Sequence, residues 1–457
     1  MPETLVGASG SSFTQPAVAG TGKRILLVTV PFPPHGEVGA IRAERLARTF
    51  TEAGHEVTAL TVHLPSDAGR ARRSSAAAKE VVTVEVGERH AARLLRLMRR
   101  FHLSSPRNSE SRAGSESTTI ASEASRGGIR EFVLAVLALP DSEQHFIRPA
   151  AAAARQWKPG DFDIVYSTAP PFSGHIAAQR IASRLGARLI LEFRDPWNHS
   201  HAQRVARSFG ITRKIDDMLE RRCLGAADSI VAVSEGAAEL IRSSSPGSEP
   251  HVILNGIPSQ LLDSPQPERT GPLSILYAGS LYLSRDPRSF LESLALVLRK
   301  RKWTPQEVRL DFLGECRFFH EDSIEEYVQR LGISNHVTFT DRVPHVEATR
   351  RISEADILLL LAQEQPIQIP NKLYDYLGMR VPVIAYADAE GETTRMLEQA
   401  GGHLVMKHSD PAVNAEQLER LLASRIADRQ AEVGDMAVLN AWRSELQMQL
   451  LLEALEL

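Results

Sequence analysis

Residues 368–378 read QIPNKLYDYLG, and residues 381–385 read VPVIA. The proline near the start of this stretch and the glycine at its end predict a short helix, and an apolar strand follows at once. Lys372 and Asp375 are three residues apart, so the helix places them on one face. A lysine near a helix start can bind a phosphate, and Asp375 can accept hydrogen bonds from ribose or sugar hydroxyls. The alternative is a local Lys–Asp ion pair.

A glycine loop lies further upstream, in residues 277–288, which read YAGSLYLSRDPR. Gly279 and Ser280 follow an apolar strand and are expected to contribute to the binding of a donor substrate that carries a diphosphate. Arg285 and Arg288 bring positive charge to the loop. Arginine binds phosphate through paired hydrogen bonds, and fixed cations stabilise the charge of a departing diphosphate. The alternative is that both arginines are solvated residues at the start of a helix.

The first apolar strand of the chain, residues 25–30, is followed by PFPPHGEVGAIR at residues 31–42. Gly36 and Gly39 allow a ligand to approach the backbone closely, and the start of the next helix offers free N–H groups to a phosphate. Such a loop lies at the carboxyl edge of a parallel sheet, where doubly wound folds bind ligands. Alternatively, the two glycines only form a tight turn.

Residues 189–197, LILEFRDPW, place Arg194 and Asp195 directly after another apolar strand. Two charges at this point are costly to bury unless they have a partner or a ligand. We expect Asp195 to hold an acceptor hydroxyl and Arg194 to face a phosphate; the alternative is an Arg–Asp pair that caps the next helix. Thr168 and Ser173 lie near the preceding strand and either cap a helix or contact the acceptor.

Apolar strands alternate with helical segments along most of the chain. At 457 residues the chain exceeds what one core usually supports. The pattern predicts an α/β protein with two Rossmann-like, doubly wound parallel-sheet domains facing a central cleft. The predicted segments are a disordered tail (1–22), a first domain (23–257) with a disordered insertion at about 104–128, a linker (258–272), a second domain (273–430) and a C-terminal helical segment (431–457). One long helix is expected from about residue 435, with an apolar face formed by Leu439, Trp442, Leu446, Leu450 and Leu457.

Charge and composition exclude several classes of protein. The net charge of −3 argues against a general nucleic-acid binder. Cys223 and Cys316 lack metal-binding spacing, which argues against a structural zinc site or a disulfide framework and fits a cytoplasmic protein. No stretch reaches the roughly 18 apolar residues that cross a bilayer. Residues 89–101 predict a basic amphipathic helix, which either lies on an anionic membrane surface or packs on the domain with a solvated arginine face.

Three of these segments together resemble the GT-B glycosyltransferases of the retaining group called family four. They are the first glycine loop with RAERLARTFTEAGHEVTALT (42–61), YAGSLYLSRDP (277–287) and IPNKLYDYLGMRVPVIAY (369–386). The resemblance implies an N-terminal acceptor-binding domain, a C-terminal nucleotide-sugar-binding domain and a C-terminal helix that crosses back to the first domain. It also implies that no metal is needed, since positive groups take its place, and that the nucleotide sugar is a substrate, so no cofactor is expected.

Three positions depart from the pattern of this family. Arg194 stands where many members have His. Ser280 stands where they have Arg, so Arg285 must supply that charge alone or with Arg288. The first of two glutamates found in many members corresponds to Ile367, which cannot bind a hydroxyl. These departures leave the identity of the donor sugar open.

The resulting hypothesis is a hexosyltransferase that moves a sugar from a nucleotide diphosphate to an acceptor hydroxyl with retained anomeric configuration. Arg285 and Lys372 hold the diphosphate, the Gly36–Gly39 loop closes over it, and Asp195 and Arg194 face the reacting centre.

Two other functions stay open at this point: a sugar-nucleotide epimerase of the same fold, and a non-catalytic subunit that binds a sugar nucleotide or a partner transferase. The basic helix favours a lipid-linked acceptor at the inner face of a membrane, as in surface polysaccharide or glycolipid assembly. A soluble acceptor is the alternative.

Overall fold

The computed structural model of the protein describes residues 22–33, 38–62, 72–73, 77–84, 129–197, 208–406 and 410–457. Four of the features predicted above lie outside these ranges and stay predictions. They are Gly36, the N-terminal tail apart from Gly22, the basic helix at 89–101 and the insertion at 104–128.

The N-terminal domain is built on an eight-stranded sheet. Its strands are β1 (Arg24–Val28), β2 (Glu56–Val62), β3 (Arg72–Arg73), β4 (Glu80–Val84), β5 (Ile164–Ala169), β6 (Arg188–Phe193), β7 (Ser229–Ala232) and β8 (His251–Val252). They lie in the order β3-β4-β2-β1-β5-β6-β7-β8, and each neighbouring pair is parallel except β3 with β4. Every residue of β5 is buried, as expected for a central parallel strand that is covered on both faces.

Helices pack on both faces of this sheet. They are α1 (Val38–Glu52), α2 (Ile129–Leu137), α3 (Ile147–Ala153), α4 (Ser173–Leu185), α5 (Gly210–Leu224) and α6 (Glu235–Ser244), with short 3-10 helices at Gln144–Phe146 and Ala154–Gln156. One core contains Phe172, which stacks on Trp197 with ring centroids 4.6 Å apart. The core on the opposite face contains Phe50, whose ring contacts Tyr166 edge-on.

The C-terminal domain is built on a six-stranded parallel sheet in the order β13-β10-β9-β14-β15-β16. Its strands are β9 (Leu273–Ala278), β10 (Val308–Leu313), β13 (Val337–Thr340), β14 (Ile357–Ala362), β15 (Val383–Ala387) and β16 (Leu404–Met406), and β11 (Phe318–Phe319) pairs with β12 (Asp322–Ser323) in a separate hairpin. The helices are α7 (Ser259–Asp263), α8 (Arg288–Arg301), α9 (Ile324–Arg330), α10 (His345–Glu354), α11 (Asn371–Gly378), α12 (Glu392–Ala400) and α13 (Pro411–Ala427), with a 3-10 helix at Ser334–His336. The predicted class, two doubly wound parallel-sheet domains, is confirmed.

The C-terminal segment forms two helices, so the prediction of one long helix is wrong. They are α14 (Met436–Ala441) and α15 (Ser444–Leu455). The break lies where Ile257 pairs with this segment: its N–H donates to the Trp442 carbonyl at 2.7 Å, and its carbonyl accepts from the Ser444 N–H at 2.8 Å. Backbone groups that bond to Ile257 cannot also continue the helical ladder.

The apolar face of the last helix also differs from the predicted one. Met448, Leu451 and Leu455 pack into the core of the N-terminal domain. Leu446 and Leu450 are instead 37 % and 39 % exposed. The break after α14 resets the helical phase, which is why a single periodic pattern across both helices selects the wrong face.

Candidate functional site

A cleft of about 500 Å³ lies between the two domains. It is lined from the N-terminal domain by Pro31, Gly39, Ile41, Arg42, Arg45, Pro170, Pro171, Arg194, Asp195 and Asn255, and from the C-terminal domain by Tyr282, Arg285, Gln365, Gln368, Ile369, Pro370 and Asn371. Most of these residues follow the carboxyl ends of β1, β5 and β6 on one side and of β9 and β14 on the other. This edge is where doubly wound sheets bind their ligands.

Arg194 lies against the start of α1. Its Nη2 donates to the Pro170 carbonyl, and a Cβ added at Gly39 would come within 2.6 Å of its Nη1. The absence of a side chain at Gly39 therefore makes room for the guanidinium group of Arg194. The sequence predicted that a ligand approaches the backbone at Gly39, whereas in the structure the neighbour at this position is the guanidinium group of Arg194.

Asp195 follows Arg194 and links the two domains. Its Oδ1 accepts a hydrogen bond from Gln368 Nε2 at 3.1 Å. Burial raises the pKa of Asp195, although the Arg194 charge and the bond from Gln368 oppose this. Asp195 is thus a carboxyl group with an increased affinity for a proton, placed in the cleft.

Arg285 is held on the C-terminal side of the cleft by its own loop. Its guanidinium carbon lies 4.4 Å from the centroid of the Tyr282 ring. The loop is fixed by two hydrogen bonds, from Ser284 Oγ to the Gln363 carbonyl at 2.6 Å and from Gln363 Nε2 to the Asp286 carbonyl at 2.8 Å. A cation on a fixed loop can stabilise developing negative charge without reorganisation.

Lys372 lies beneath the same loop, near the start of α11. Its Nζ donates to the Ala278 carbonyl at 2.6 Å. Gly279, with φ of +149°, has no room for a side chain, because a Cβ there would collide with Lys372 Nζ. Burial and the charge of Arg285 lower the pKa of Lys372 to about 8. The structure thus brings together Lys372, Gly279 and Arg285, three residues that the sequence assigned to the donor, and that assignment stays a prediction.

Asp375 lies one turn after Lys372 on α11. Its charge interacts favourably with Lys372 and also with Arg45 of the N-terminal domain. It is partly buried and is not among the residues that line the cleft. Asp375 therefore lies between cations of both domains.

Besides Lys372, Gly279 and Asp375, four further predicted site residues do not line the cleft. Thr168 is buried and donates to Glu192 Oε2 at 2.6 Å. Ser173 is buried against Asp141, whose Oδ2 accepts from the Ser173 N–H at 2.9 Å. The other two belong to the C-terminal domain. Arg288 forms ion pairs with Asp286 and Asp322. The Ser280 carbonyl accepts a hydrogen bond from Tyr277 Oη, and Ser280 Oγ lies 3.5 Å from Glu315 Oε2.

A buried ion pair in the cleft wall was not predicted from the sequence. Arg42 Nη2 lies 2.6 Å from Glu192 Oε1, and the two side chains are 5 % and 0 % exposed. Burial would raise the pKa of Glu192, but the Arg42 charge and the hydrogen bonds from Arg42 and Thr168 lower it below the ordinary value. A glutamate inside the apolar stretch LILEF signals a buried cation partner. Its partner, 150 residues away, carries no matching local signal.

Three contacts join the domains across the cleft, and we call them the interdomain clasp. They are the Gln368–Asp195 bond, a bond from Ser234 Oγ to the Ile367 carbonyl at 3.1 Å, and a bond from the Gly236 N–H to Glu392 Oε1 at 2.7 Å. The Ile367 side chain packs against the core of the N-terminal domain. The position at which the family pattern has a glutamate is thus used here for contact between domains.

Within the described residues, no group of three or more His, Cys, Asp or Glu side chains is arranged to hold a metal ion. A helix long and apolar enough to cross a membrane is not found there either. The expectation that the reaction needs no metal or cofactor stays a prediction.

Two family models match consecutive parts of the chain. The model described as Glycosyltransferase Family 4 matches residues 88–261, and the model described as Glycosyl transferases group 1 matches residues 272–424. A search of curated proteins gives no match. Each domain is therefore matched separately by a glycosyltransferase model.

Solved structures of low sequence identity share the fold. Sucrose-phosphate synthase from Thermosynechococcus elongatus aligns with a TM-score of 0.60 at 16 % identity, over 95 % of this chain and 99 % of that one. The lipopolysaccharide outer core galactosyltransferase WaaB gives 0.57 at 14 % identity, over 95 % and 99 % of the two chains. Anabaena Alr3699/HepE in complex with UDP gives 0.56 at 12 % identity, with the same coverage. These likenesses show the two-domain GT-B arrangement.

Proposed function

We propose that this GT-B glycosyltransferase transfers a hexose from a nucleotide-diphosphate donor to an acceptor hydroxyl, with retention of the anomeric configuration. The observation that supports the donor class most is the pair of cations, Arg285 and Lys372, beside the Gly279 loop. They lie at the carboxyl edge of the C-terminal sheet, where nucleotides bind in doubly wound folds. Retention rests on the family resemblance of the sequence.

The diphosphate gains negative charge as the bond between it and the sugar breaks. Arg285 reaches the cleft directly, and Lys372 adds its charge from beneath the loop. Both are positioned before the ligand arrives, Arg285 on the Tyr282 ring and Lys372 on the Ala278 carbonyl. Preorganised cations of this kind stabilise the departing group more in the transition state than in the ground state.

Asp375 is the group that we assign to the ribose or sugar hydroxyls of the donor. UDP is the first nucleotide to test, because the structurally similar HepE protein is described in complexes with UDP and UDP-glucose. The similarity is one of fold, so GDP, ADP and dTDP belong in the same test.

Asp195 and Arg194 are the groups that we assign to the reacting centre. Asp195 lies in the cleft on the N-terminal side, and burial raises its pKa. A carboxylate with a raised pKa is a better acceptor for the hydrogen of an attacking hydroxyl. The N-terminal domain therefore binds the acceptor in this proposal.

The wider role that we propose is surface polysaccharide or glycolipid assembly at the cytoplasmic face of a membrane. It rests on the basic sequence at residues 89–101. Co-sedimentation with vesicles that contain an anionic lipid, compared with neutral vesicles, tests it. Equal recovery with both kinds of vesicle would contradict it.

The central experiment is calorimetric titration of UDP, GDP, ADP and dTDP, and of their sugar conjugates, into the purified protein. One nucleotide series is expected to bind. Lys372→Met keeps most of the side-chain volume but removes the charge, and Arg285→Ala removes the second cation. Each should weaken binding by about tenfold to 100-fold, the usual worth of a charge-assisted hydrogen bond. The matched control is Arg420→Ala, since Arg420 is 80 % exposed and lies outside the cleft.

The outcomes separate the alternatives. Binding and turnover at wild-type levels in both variants would overturn the diphosphate assignment. Nucleotide binding without sugar transfer to a broad panel of acceptors would favour a non-catalytic subunit. Conversion of the free sugar nucleotide in an acceptor-free reaction, followed by NMR, would favour an epimerase. The same NMR spectra report the anomeric configuration of a transfer product.

A further inference from the structure

The outward face of α5 combines apolar and basic side chains. Ile211 and Met218 lie two turns apart on this helix and are 54 % and 59 % exposed. Lys214, Arg221 and Arg222 are exposed as well. At 3.6 residues per turn, these five side chains fall within one arc of about 100° around the helix. The large apolar residues of a surface helix usually face the core, so a group of them on the solvent side of α5 indicates a binding surface.

The acidic residues of α5 lie outside this arc. Asp216 and Glu220 are buried, and Asp217 is half-buried. Asp216 Oδ1 accepts a hydrogen bond from Trp197 Nε1 at 2.9 Å. The three cations of the arc form no ion pair with any residue that the structure describes. Their positive charge therefore faces the solvent, where it attracts an anionic partner.

The helices that pack on α5 leave this charge in place. Arg180 of α4 is exposed, and its charge acts on Cys223 of α5. The exposed acids Glu235 and Glu239 lie on α6, and Glu235 pairs with Arg242. Cations thus outnumber acids around the arc.

A second helix extends the apolar part of the surface. Phe132 and Val136 of α2 lie one turn apart and are 38 % and 41 % exposed. The Phe132 ring contacts the Phe209 ring edge-on, with 5.4 Å between the centroids, directly before α5 begins. The exposed apolar side chains of α2 therefore continue those of α5 at its first turn. We call this surface the α2–α5 face, which consists of Phe132, Val136, Ile211, Lys214, Met218, Arg221 and Arg222.

The first turn of α5 lies at the cleft edge of the sheet. Because α5 connects the parallel strands β6 and β7, it begins at the edge where β6 ends. Asp195 follows the end of β6 and lines the cleft, and Trp197, two residues later, bonds to Asp216 of α5. The α2–α5 face is therefore connected to the wall of the cleft to which we assign the acceptor.

We propose that the α2–α5 face binds an anionic lipid surface, with its apolar side chains between the head groups and its three cations on lipid phosphates. This inference rests on the proposed function, since it adds a second surface to the proposed membrane role of residues 89–101 and brings the acceptor wall toward a lipid-linked acceptor. Such binding gains from the burial of apolar area and from the attraction of basic residues to anionic lipids. The arc on α5 supplies both.

The experiment is co-sedimentation of the full chain with vesicles of phosphatidylcholine and phosphatidylglycerol, and with vesicles of phosphatidylcholine alone. Two variants test the face. The cation variant is Lys214→Gln/Arg221→Gln/Arg222→Gln, and the apolar variant is Ile211→Ser/Met218→Ser. Circular dichroism and calorimetric titration with UDP check that each variant is folded.

The wild type is expected to bind the anionic vesicles at least about tenfold more tightly than the neutral ones. One cation near an anionic membrane is worth about fivefold in binding, so the cation variant should bind at least about tenfold more weakly. The apolar variant should lose about fivefold or more, because its side chains no longer leave water on binding.

The matched control is Arg299→Gln/Lys302→Gln/Arg309→Gln. It removes the same charge from exposed positions of the C-terminal domain and should bind vesicles like the wild type. UDP affinity should stay within about threefold in all of these variants, as is usual for changes at the surface.

Equal binding of the wild type to both kinds of vesicle, or equal losses in the cation variant and its control, would overturn the inference. A loss confined to Arg93→Gln/Arg96→Gln/Arg100→Gln would also overturn it and assign the membrane contact to residues 89–101. If the cation variant loses binding while the apolar variant keeps it, the contact is one of charge alone, and the face belongs to an acidic macromolecule instead. The nucleotide titrations test sugar transfer separately: if no nucleotide binds, that proposal fails, while the vesicle comparison still decides the lipid contact.

Discussion

Lys372 occupies a position that disfavours its own charge. It is packed beneath Gly279, and its Nζ contacts one backbone carbonyl, that of Ala278. Burial and the charge of Arg285 lower its pKa from 10.5 to about 8. A bound diphosphate would reverse this, because a nearby dianion favours the protonated amine. The occupancy of the donor site and the protonation of Lys372 are therefore coupled.

This coupling predicts a pH dependence of donor binding. In the free protein, Lys372 is mostly charged at pH 7 and mostly neutral at pH 9, since its pKa is about 8. The diphosphate prefers the charged form, so UDP affinity should fall by about tenfold between these two pH values. Calorimetric titration at four or five pH values measures the slope.

The control is Lys372→Met, which is expected to bind UDP weakly at every pH without this slope. Any titration of the nucleotide itself is common to both proteins and cancels in the comparison. Parallel pH profiles for the wild type and the variant would contradict the assignment of Lys372 to the diphosphate.

At the scale of elements, the sequence predicted strands and their carboxyl ends better than it predicted partners. Gly279 and Arg285 could be placed at the ligand-binding edge because they follow the end of a strand, whereas Lys372 was assigned to the same diphosphate because it lies near the start of a helix. Thr168 and Ser173 were expected either to cap a helix or to contact the acceptor, yet they are buried on Glu192 and Asp141. The place of a residue at the end of a strand determines the edge of the sheet at which it lies, but the direction of its side chain depends on packing between distant elements.

The last helix, α15, provides a test of how packing decides which side chains of a helix are buried. A continuous pattern from residue 435 places Leu450 on the buried face, whereas the structure buries Leu451 completely and leaves Leu450 39 % exposed. Leu451→Ala should lower the free energy of unfolding by about 2–5 kcal/mol, because a buried leucine leaves a cavity. Leu450→Ala, one residue away, should change it by less than about 0.5 kcal/mol, as is usual at the surface. Urea unfolding of both variants measures the difference, and equal losses would contradict the observed helical phase.

At the scale of the whole molecule, the cleft is bounded by contacts that no local pattern reveals. Ile257 pairs with the C-terminal segment, whereas the interdomain clasp joins Gly236 to Glu392 and Ser234 to Ile367. Ile367 departs from the family pattern in the sequence, and its contact with the N-terminal core gives that departure a structural role. The clasp depends on residues more than 130 positions apart, which only the folded chain brings together.

The clasp also predicts how the domains respond to a substitution. Glu392 is 8 % exposed, and its carboxylate accepts the N–H of Gly236 in the first turn of α6. Glu392→Ala would leave this N–H without its carboxylate, at a cost of about 1–3 kcal/mol, and so favour separation of the domains. Small-angle X-ray scattering should show a larger radius of gyration than for the wild type. Glu390→Ala is the control, because Glu390 is exposed in the turn just before α12.

Addition of a donor that contacts both walls should reduce the radius of gyration of Glu392→Ala again, since a ligand shifts the equilibrium toward the state that it binds better. Identical scattering by Glu392→Ala and the wild type without ligand would mean that the clasp does not hold the domains together. The contacts of Ile257 and the binding energy of the substrates would then have to close the cleft by themselves.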